Sequence, residues 1–178
     1  VLYLQALEQI EEADLPYYLA VIRQKLTDSY RYQLRLDEAR EQNQLGTALC
    51  REKNFVSSLV EALRTAVLIA LASDRTQDAL PPLREAIQHA AGLGDAQQLD
   101  CVAAGAAWAI SQQNYTAAAE WLGRAREGSK HPHHTREFAR WEKTITQALG
   151  PAQTRAALQR GQAMRTPAAF AAVRAAVE

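Results

Sequence analysis

Histidines are the residues of this sequence best suited to metal chemistry, and three of them lie together in His131-Pro132-His133-His134. Imidazole is a common ligand of zinc, copper and nickel. Adjacent histidines rarely converge on one ion, however, no cysteine is near, and Glu127 and Glu137 are ordinary helix-surface residues. The cluster therefore favours a solvated loop between helices, and no metal ion or other cofactor is predicted.

Motifs that carry catalytic chemistry are absent from the sequence. It contains no GxSxG, no HExxH, no glycine-rich phosphate loop and no GxGxxG following a strand. The carboxylate pairs Glu11-Glu12 and Asp37-Glu38 fall at predicted helix ends, where the helix dipole and solvation account for them. The sequence predicts no catalytic residue and no enzyme activity.

Composition predicts a helical protein without a whole-chain attraction for polyanions. The 20 basic and 20 acidic residues cancel, so direct contact with nucleic acid is not expected. Glycine and proline are sparse, as in all-α proteins. The longest apolar stretch, 66–72, is far shorter than the roughly 20 residues that cross a bilayer. Cys50 and Cys101 are isolated within helical segments, which favours buried thiols in a reducing cytoplasm.

Small residues recur with a period of about 40. One series is Ala6, Gly46, Ala86 and Ala125, and a second, seven residues earlier, is Ala39, Ala79 and Ala118. Seven residues are two helical turns, so each pair lies on one helix face, where a neighbouring helix can approach closely. The period predicts stacked pairs of helices.

Breaks between helices recur in the same register. Between units they are Ala13-Asp14-Leu15, Lys53-Asn54-Phe55 and Gly92-Leu93-Gly94-Asp95, each suited to ending one helix and capping the next. Shorter breaks within units are Leu34-Arg35-Leu36-Asp37, Ser73-Asp74-Arg75-Thr76 and Gln112-Gln113-Asn114-Tyr115. Helices are predicted near 1–12, 16–34, 37–53, 55–72, 75–91, 96–112, 115–128 and 133–149, followed by two short helices split by Gly161 and by Thr166-Pro167. Pro81-Pro82 can displace the start of the fifth helix to residue 80. We expect a half-repeat at 1–13, repeats at 14–53, 54–93 and 94–129, and a helical cap at 130–178, all within one domain.

These features resemble two groups of proteins. The small residues on the second helix of each pair resemble the tetratricopeptide (TPR) family, although that family repeats at 34 residues. The segments Asn114-Tyr115-Thr116-Ala117-Ala118-Ala119, Ala148-Leu149-Gly150 and Ala156-Ala157-Leu158-Gln159-Arg160-Gly161-Gln162-Ala163-Met164 resemble the C-terminal arms of LuxR-type and related signal-transduction ATPases, with Gln162 in place of the family's arginine. The resemblance implies a right-handed α-solenoid of TPR-like helix pairs closed by a C-terminal helical cap.

The resemblance also implies that the first helix of each pair lines a concave face that holds a partner. In this register the face carries mixed charge beside an apolar floor, a combination that can hold a peptide, a protein segment or a small effector. Its predicted residues are Gln24, Asp28, Arg31, Glu61, Arg64, Leu68 and Asp100, with Leu71 and Ile110 beside them. The alternative is that the charges pair across adjacent helices while the C-terminal helices cover the leucines.

Aromatic residues are predicted to be core. The tryptophans Trp108, Trp121 and Trp141 and the tyrosines Tyr17, Tyr18, Tyr30, Tyr32 and Tyr115 all lie at helical spacing.

Three hypotheses for the function follow. The first, implied by the resemblance, is a non-catalytic sensing or interaction segment of a larger bacterial regulator, in agreement with a chain that starts as if inside a helix. The second is a freestanding TPR adaptor that binds peptides in its groove. The third is a metal-responsive accessory built on His131, His133 and His134.

Overall fold

The protein is all-α over the residues described by a computed structural model, which are 2–128 and 132–178. Ten helices account for most of these described residues, none of which lies in a β-strand. The helices are α1 (Leu2–Glu12), α2 (Pro16–Tyr32), α3 (Leu36–Glu52), α4 (Val56–Ala72), α5 (Thr76–Ala90), α6 (Asp95–Ser111), α7 (Tyr115–Gly128), α8 (Pro132–Leu149), α9 (Pro151–Ala163) and α10 (Thr166–Val177). The all-helical prediction is confirmed, and none of these ten helices is long and apolar enough to cross a membrane.

Five of the turns between consecutive helices share one backbone geometry. In each, the residue after the helix C-cap has a positive φ of 50° to 60°, and these residues are Asp14, Leu34, Asn54, Asp74 and Gln113. The next amide donates to a carbonyl five residues earlier, as from Arg35 N to Tyr30 O at 3.0 Å. This is the bond of the Schellman motif, which ends a helix and reverses the chain. The turns lie where the sequence breaks predicted them.

The helix starts are made differently from the prediction. At the N-termini of α2 and α4 the N-cap residues are Leu15 and Phe55, and no side chain accepts a capping hydrogen bond, so the expectation that these two breaks cap the next helix is wrong. At α6 the N-cap residue is Gly94 in an extended conformation, which suits this position. At α7 the Asn114 side chain does accept a bond, from Ala117 N at 3.3 Å. Helix α5 begins at Thr76 and contains both Pro81 and Pro82, so its start is not displaced to residue 80.

Small residues allow the helices to approach closely, as the 40-residue period predicts. Ala39, Ala79 and Ala118 are fully buried on α3, α5 and α7. Each helix from α1 to α7 packs on the next, and α2 also contacts α4, as α4 contacts α6. The core between them includes Leu63 and Leu83. The helices that follow α7 pack back on the earlier ones, α10 against α5 and α6, and α9 against α7.

The C-terminal helices differ from the prediction at Gly161. This glycine does not split a helix, because α9 continues through it to Ala163. It is buried where α9 crosses α7, and a Cβ at this position would lie 2.6 Å from the carbonyl carbon of Glu120. Gly123 on α7 faces the backbone of Leu158 in the same way, at 3.0 Å from its carbonyl carbon. Gly161 therefore permits contact between two backbones.

The aromatic prediction is confirmed only in part. Trp121 is buried, and Trp108, Trp141 and Tyr115 pack against the core. Tyr17, Tyr18 and Tyr32 are instead 52%, 57% and 44% exposed, so their assignment to the core is wrong. Helical spacing placed them on the correct helix but did not identify the face that packs.

Candidate functional site

A cavity of about 540 Å³ opens between α1, α2, α4 and α8. Helix α2 lines the cavity with Lys25, Asp28, Ser29 and Tyr32. These positions are three or four residues apart and so share one face of the helix. The same rule places Glu61 and Arg64 of α4 side by side. The remaining lining residues are Tyr3, Gln33 and His134.

Three residues of the predicted concave face, Asp28, Glu61 and Arg64, line this cavity. Gln24 is turned towards α4, where its Nε2 donates to Thr65 Oγ1 at 2.8 Å. Leu68 is packed in the core at 5% exposure and does not border the cavity.

The expected apolar floor is therefore absent from the described lining of the cavity. Leu71 and Ile110 pack against the core cluster, and neither lines the cavity.

Arg64 is the most deeply buried charged side chain of the cavity, with a side chain 4% exposed. Its Nη2 lies 3.0 Å from His134 Nε2, and its Nε lies 3.6 Å from Asp100 Oδ1. Nε and Nη1 are buried and make no hydrogen bond to the described residues. A buried guanidinium with unsatisfied donors is costly, so this position is poised for a further acceptor.

Arg31 lies beside the cavity and joins α2 to α8. Its Nη1 donates to Glu137 Oε1 at 2.5 Å, and its Nη2 lies 3.8 Å from Asp28 Oδ1. Burial acts to lower the pKa of the Arg31 guanidinium, but the charge and hydrogen bond of Glu137 outweigh it and the pKa is raised. Arg31 also stacks over the Tyr32 ring, at 4.6 Å from its centroid. Arg31 is therefore paired with a charge on another helix, as the alternative interpretation of the predicted concave face expects.

Asp100 extends this polar network to α6. Burial raises its pKa to about 6, although the nearby Arg64 guanidinium lowers it, and the charge of Glu61 adds to the increase. The carboxyl therefore titrates near pH 6, well above the range of an exposed aspartate. Beside it, burial raises the pKa of Cys101 to about 12, so this thiol stays protonated and unreactive. Cys50 is buried as well, and the prediction of buried thiols is confirmed.

Sequence reasoning missed the contribution of α8. His134 and Glu137 bring a ring nitrogen to Arg64 and a carboxylate to Arg31 from about 70 and 106 residues away. Helix α8 lies outside the 40-residue period, so no repeat register could have placed them. The strong amphipathicity of 132–149, with Phe138 and Ile145 buried, was the available signal that this segment packs on the repeats.

The predicted loop of the histidine cluster lies largely outside the described residues, since residues 129–131 and the side chain of His133 are not described. His134, which is described, contacts Arg64 and the Phe138 ring, whose centroid is 5.7 Å away. In the part of the chain that the structure covers, no three His, Cys, Asp or Glu side chains are grouped as metal ligands.

A second cavity, of about 290 Å³, lies between α5 and α10. Its arginines are engaged by the chain itself, since Arg84 donates to the Val177 carbonyl and Arg174 pairs with Glu178. The α2–α4 cavity is therefore the stronger candidate site. Comparison of the chain with protein-family models, curated proteins and solved structures finds no match.

Proposed function

We propose that this chain is a right-handed α-solenoid of TPR-like helix pairs with a C-terminal cap, and that it is the non-catalytic sensing segment of a larger bacterial regulator of the LuxR or signal-transduction ATPase kind. Two observations support the architecture. The positive-φ turn residues from Asp14 to Asp74 recur every 20 residues, and alternate helices touch, α2 with α4 and α4 with α6. Both are expected of stacked helix pairs. Buried thiols at Cys50 and Cys101 agree with a cytoplasmic location.

The observation that carries the proposed function is the charged cavity between α2, α4 and α8. Its volume of about 540 Å³ falls within the range of about 300 to 1,000 Å³ that small-molecule sites occupy. Side chains of both charges converge on it, and one, Arg64, is buried with donors unused. A small polar effector fits these properties.

The position of α8 suggests how occupancy is passed on. On one side of α8, His134 contacts Arg64 in the cavity and Glu137 contacts Arg31. The rest of α8 packs on α6, α7 and α9. A ligand that takes over the His134 contact with Arg64 changes the balance that holds α8 on the repeats. The cap then shifts relative to α2 and α4. The ligand can drive this switch because it contacts Arg64 in one state, whereas His134 contacts Arg64 in the other.

The runner-up function, a freestanding adaptor that binds peptides in the groove, has less support. Peptide grooves of helical proteins rely on apolar pockets for anchoring side chains, and Leu68 is in the core instead. In this case charge reversal at Arg31 and Arg64 would weaken peptide capture.

Thermal denaturation of the 178-residue chain with a panel of polar metabolites tests the effector hypothesis. The panel covers amino acids, sugars, dicarboxylates, nucleotides and phosphate esters. We expect at least one class to raise the Tm of the wild type, because a ligand that binds only the folded state stabilises it. Ser29→Trp, which fills the cavity, should abolish the increase, and Ser57→Trp, at an exposed α4 position, should retain it. An unchanged wild-type Tm across the panel, or an equal increase in Ser29→Trp, contradicts the proposal.

A further inference from the structure

The described side chains that line the cavity carry balanced charges, and this balance restricts the ligand. Lys25 and Asp28 lie one turn apart on α2, and Glu61 and Arg64 lie one turn apart on α4. Each helix thus offers one cation and one anion, separated by about 4.5 Å along its axis. A ligand with a single charge compensates one kind of side chain and is repelled by the other.

Arg64 provides a built site for a carboxylate. Its side chain is 4% exposed, it borders the cavity, and its Nη1 makes no hydrogen bond to the described residues. A guanidinium binds a carboxylate through two parallel hydrogen bonds, which are among the strongest in proteins. Nη1 is itself shielded from solvent, so a carboxylate in the cavity would reach this guanidinium by displacing the His134 ring from Nη2.

Asp28 and Glu61 supply the opposite charge. Asp28 Oδ1 is buried without a hydrogen bond, although it lies 3.8 Å from Arg31 Nη2. Both carboxylates line the cavity beside Arg64. An ammonium group has three donors for such acceptors. A phosphate or dicarboxylate, in contrast, brings its negative charge against the same two side chains.

The other described lining residues are polar or aromatic. They are Tyr3, Ser29, Tyr32, Gln33 and His134, and none of the described lining residues is aliphatic. Such a surface gives no pocket for the apolar anchors of a bound helix. It suits a small molecule whose polar groups are compact and whose remaining part can lie against a tyrosine ring.

We propose that the cavity binds a zwitterionic small molecule of the α-amino acid type, with its carboxylate on Arg64 and its ammonium group between Asp28 and Glu61. This inference rests on the proposed function, since it assigns a ligand class to the same site. An α-amino acid carries both charges on one carbon, so a single compact group meets both the basic and the acidic side chains.

The test is calorimetric titration of the 178-residue chain with each of the twenty free L-amino acids. For an amino acid that binds, two matched analogues follow, the amine that lacks the carboxylate and the acid that lacks the ammonium group. We expect saturable binding of at least one amino acid and at least about tenfold weaker binding of both analogues, since each loses charge-assisted hydrogen bonds. Binding of an analogue as tightly as the parent overturns the assignment.

Glu61→Gln localises the effect and is compared with Glu41→Gln, which changes an exposed residue of α3 away from the cavity. We expect the first to weaken amino acid binding at least about tenfold and the second to leave it unchanged. Unfolding of each variant is followed by circular dichroism, and Asp28→Asn replaces Glu61→Gln if the latter does not fold. Equal binding by the cavity variant and the control refutes the site.

Failure of this inference is distinguishable from failure of the proposed function. If no amino acid binds while another metabolite class raises the Tm of the wild type and not of Ser29→Trp, the ligand class is wrong and the effector site stands. If no class does so, both are wrong.

Discussion

Replacement of Gly161 by alanine tests the crossing of α7 and α9. The added methyl carbon would lie 2.6 Å from the carbonyl carbon of Glu120 and 2.9 Å from its Cα, whereas carbon atoms in contact are normally about 3.5 to 4.0 Å apart. Since the neighbour is backbone and cannot rotate away, the two helices must separate by about 1 Å. Overpacking costs about 1 to 3 kcal/mol, and we take the upper end because of this rigidity. The better helix propensity of alanine offsets about 1 kcal/mol.

The net expectation for Gly161→Ala is a loss of about 2 kcal/mol in the free energy of unfolding, or a Tm lower by roughly 4 to 8 °C. Thermal and urea denaturation followed by far-UV circular dichroism measure both quantities. Gly92→Ala is the matched control, because a Cβ there meets no atom within 4 Å; its stability should be unchanged or higher by up to about 1 kcal/mol. If Gly161→Ala is as stable as the control, Gly161 is not at a helix crossing and the packing of α9 on α7 is refuted.

Three further predictions concern other parts of the fold. Leu34 is 73% exposed and has a φ of 60°, so Leu34→Gly should stabilise the protein by about 0.5 to 1 kcal/mol in urea denaturation. The control Leu45→Gly, within α3, should destabilise it by about 1 kcal/mol. A destabilised Leu34→Gly contradicts the turn geometry. Glu137→Gln should cost about 3 kcal/mol in the free energy of unfolding, because it removes the carboxylate that hydrogen-bonds the buried Arg31 guanidinium and leaves the more distant Asp28, at 3.8 Å. An unchanged stability contradicts the ion pair. The raised pKa of Asp100, about 6 against 3.8, means that the folded state binds a proton more tightly than the unfolded state. Stability relative to Asp100→Asn should therefore increase by roughly 1 to 3 kcal/mol as the pH falls from 7 to 4, and a flat or opposite difference between the two denaturation profiles contradicts this environment for Asp100.

The regular part of the fold could be predicted because its signals are local. The small residues at Ala39, Ala79 and Ala118 mark the packed faces of α3, α5 and α7, and the predicted turns at Asp14, Leu34, Asn54, Asp74 and Gln113 are present. The predictions that were wrong concern positions whose structure depends on tertiary contacts. The glycine at 161 has the sequence signature of a helix break but meets a backbone distant in sequence. The tyrosines at 17 and 18 have the spacing of a core but are more than half exposed.

The site was predictable to the extent that it follows helix periodicity. Asp28, Glu61 and Arg64 share a cavity because their spacing on α2 and α4 places them on facing surfaces. The partners from α8 were not predictable, since no local rule fixes where a helix outside the repeat will dock. Leu68 was assigned to the floor of the groove because it shares the register of Glu61 and Arg64, but the packing of α4 turns it into the core.

The most direct test of the proposed amino acid site is to locate a bound ligand on the molecule. Heteronuclear NMR spectra of the ¹⁵N-labelled 178-residue chain, recorded before and after addition of a mixture of the twenty L-amino acids, report on the arginine Nε groups and the backbone amides together. We expect shifts at Arg64 Nε and at the amides of Ser29 and Tyr32, with none at Arg84 or Arg174 in the second cavity. Shifts confined to the second cavity, or no shifts at all, would contradict an amino acid site between α2, α4 and α8.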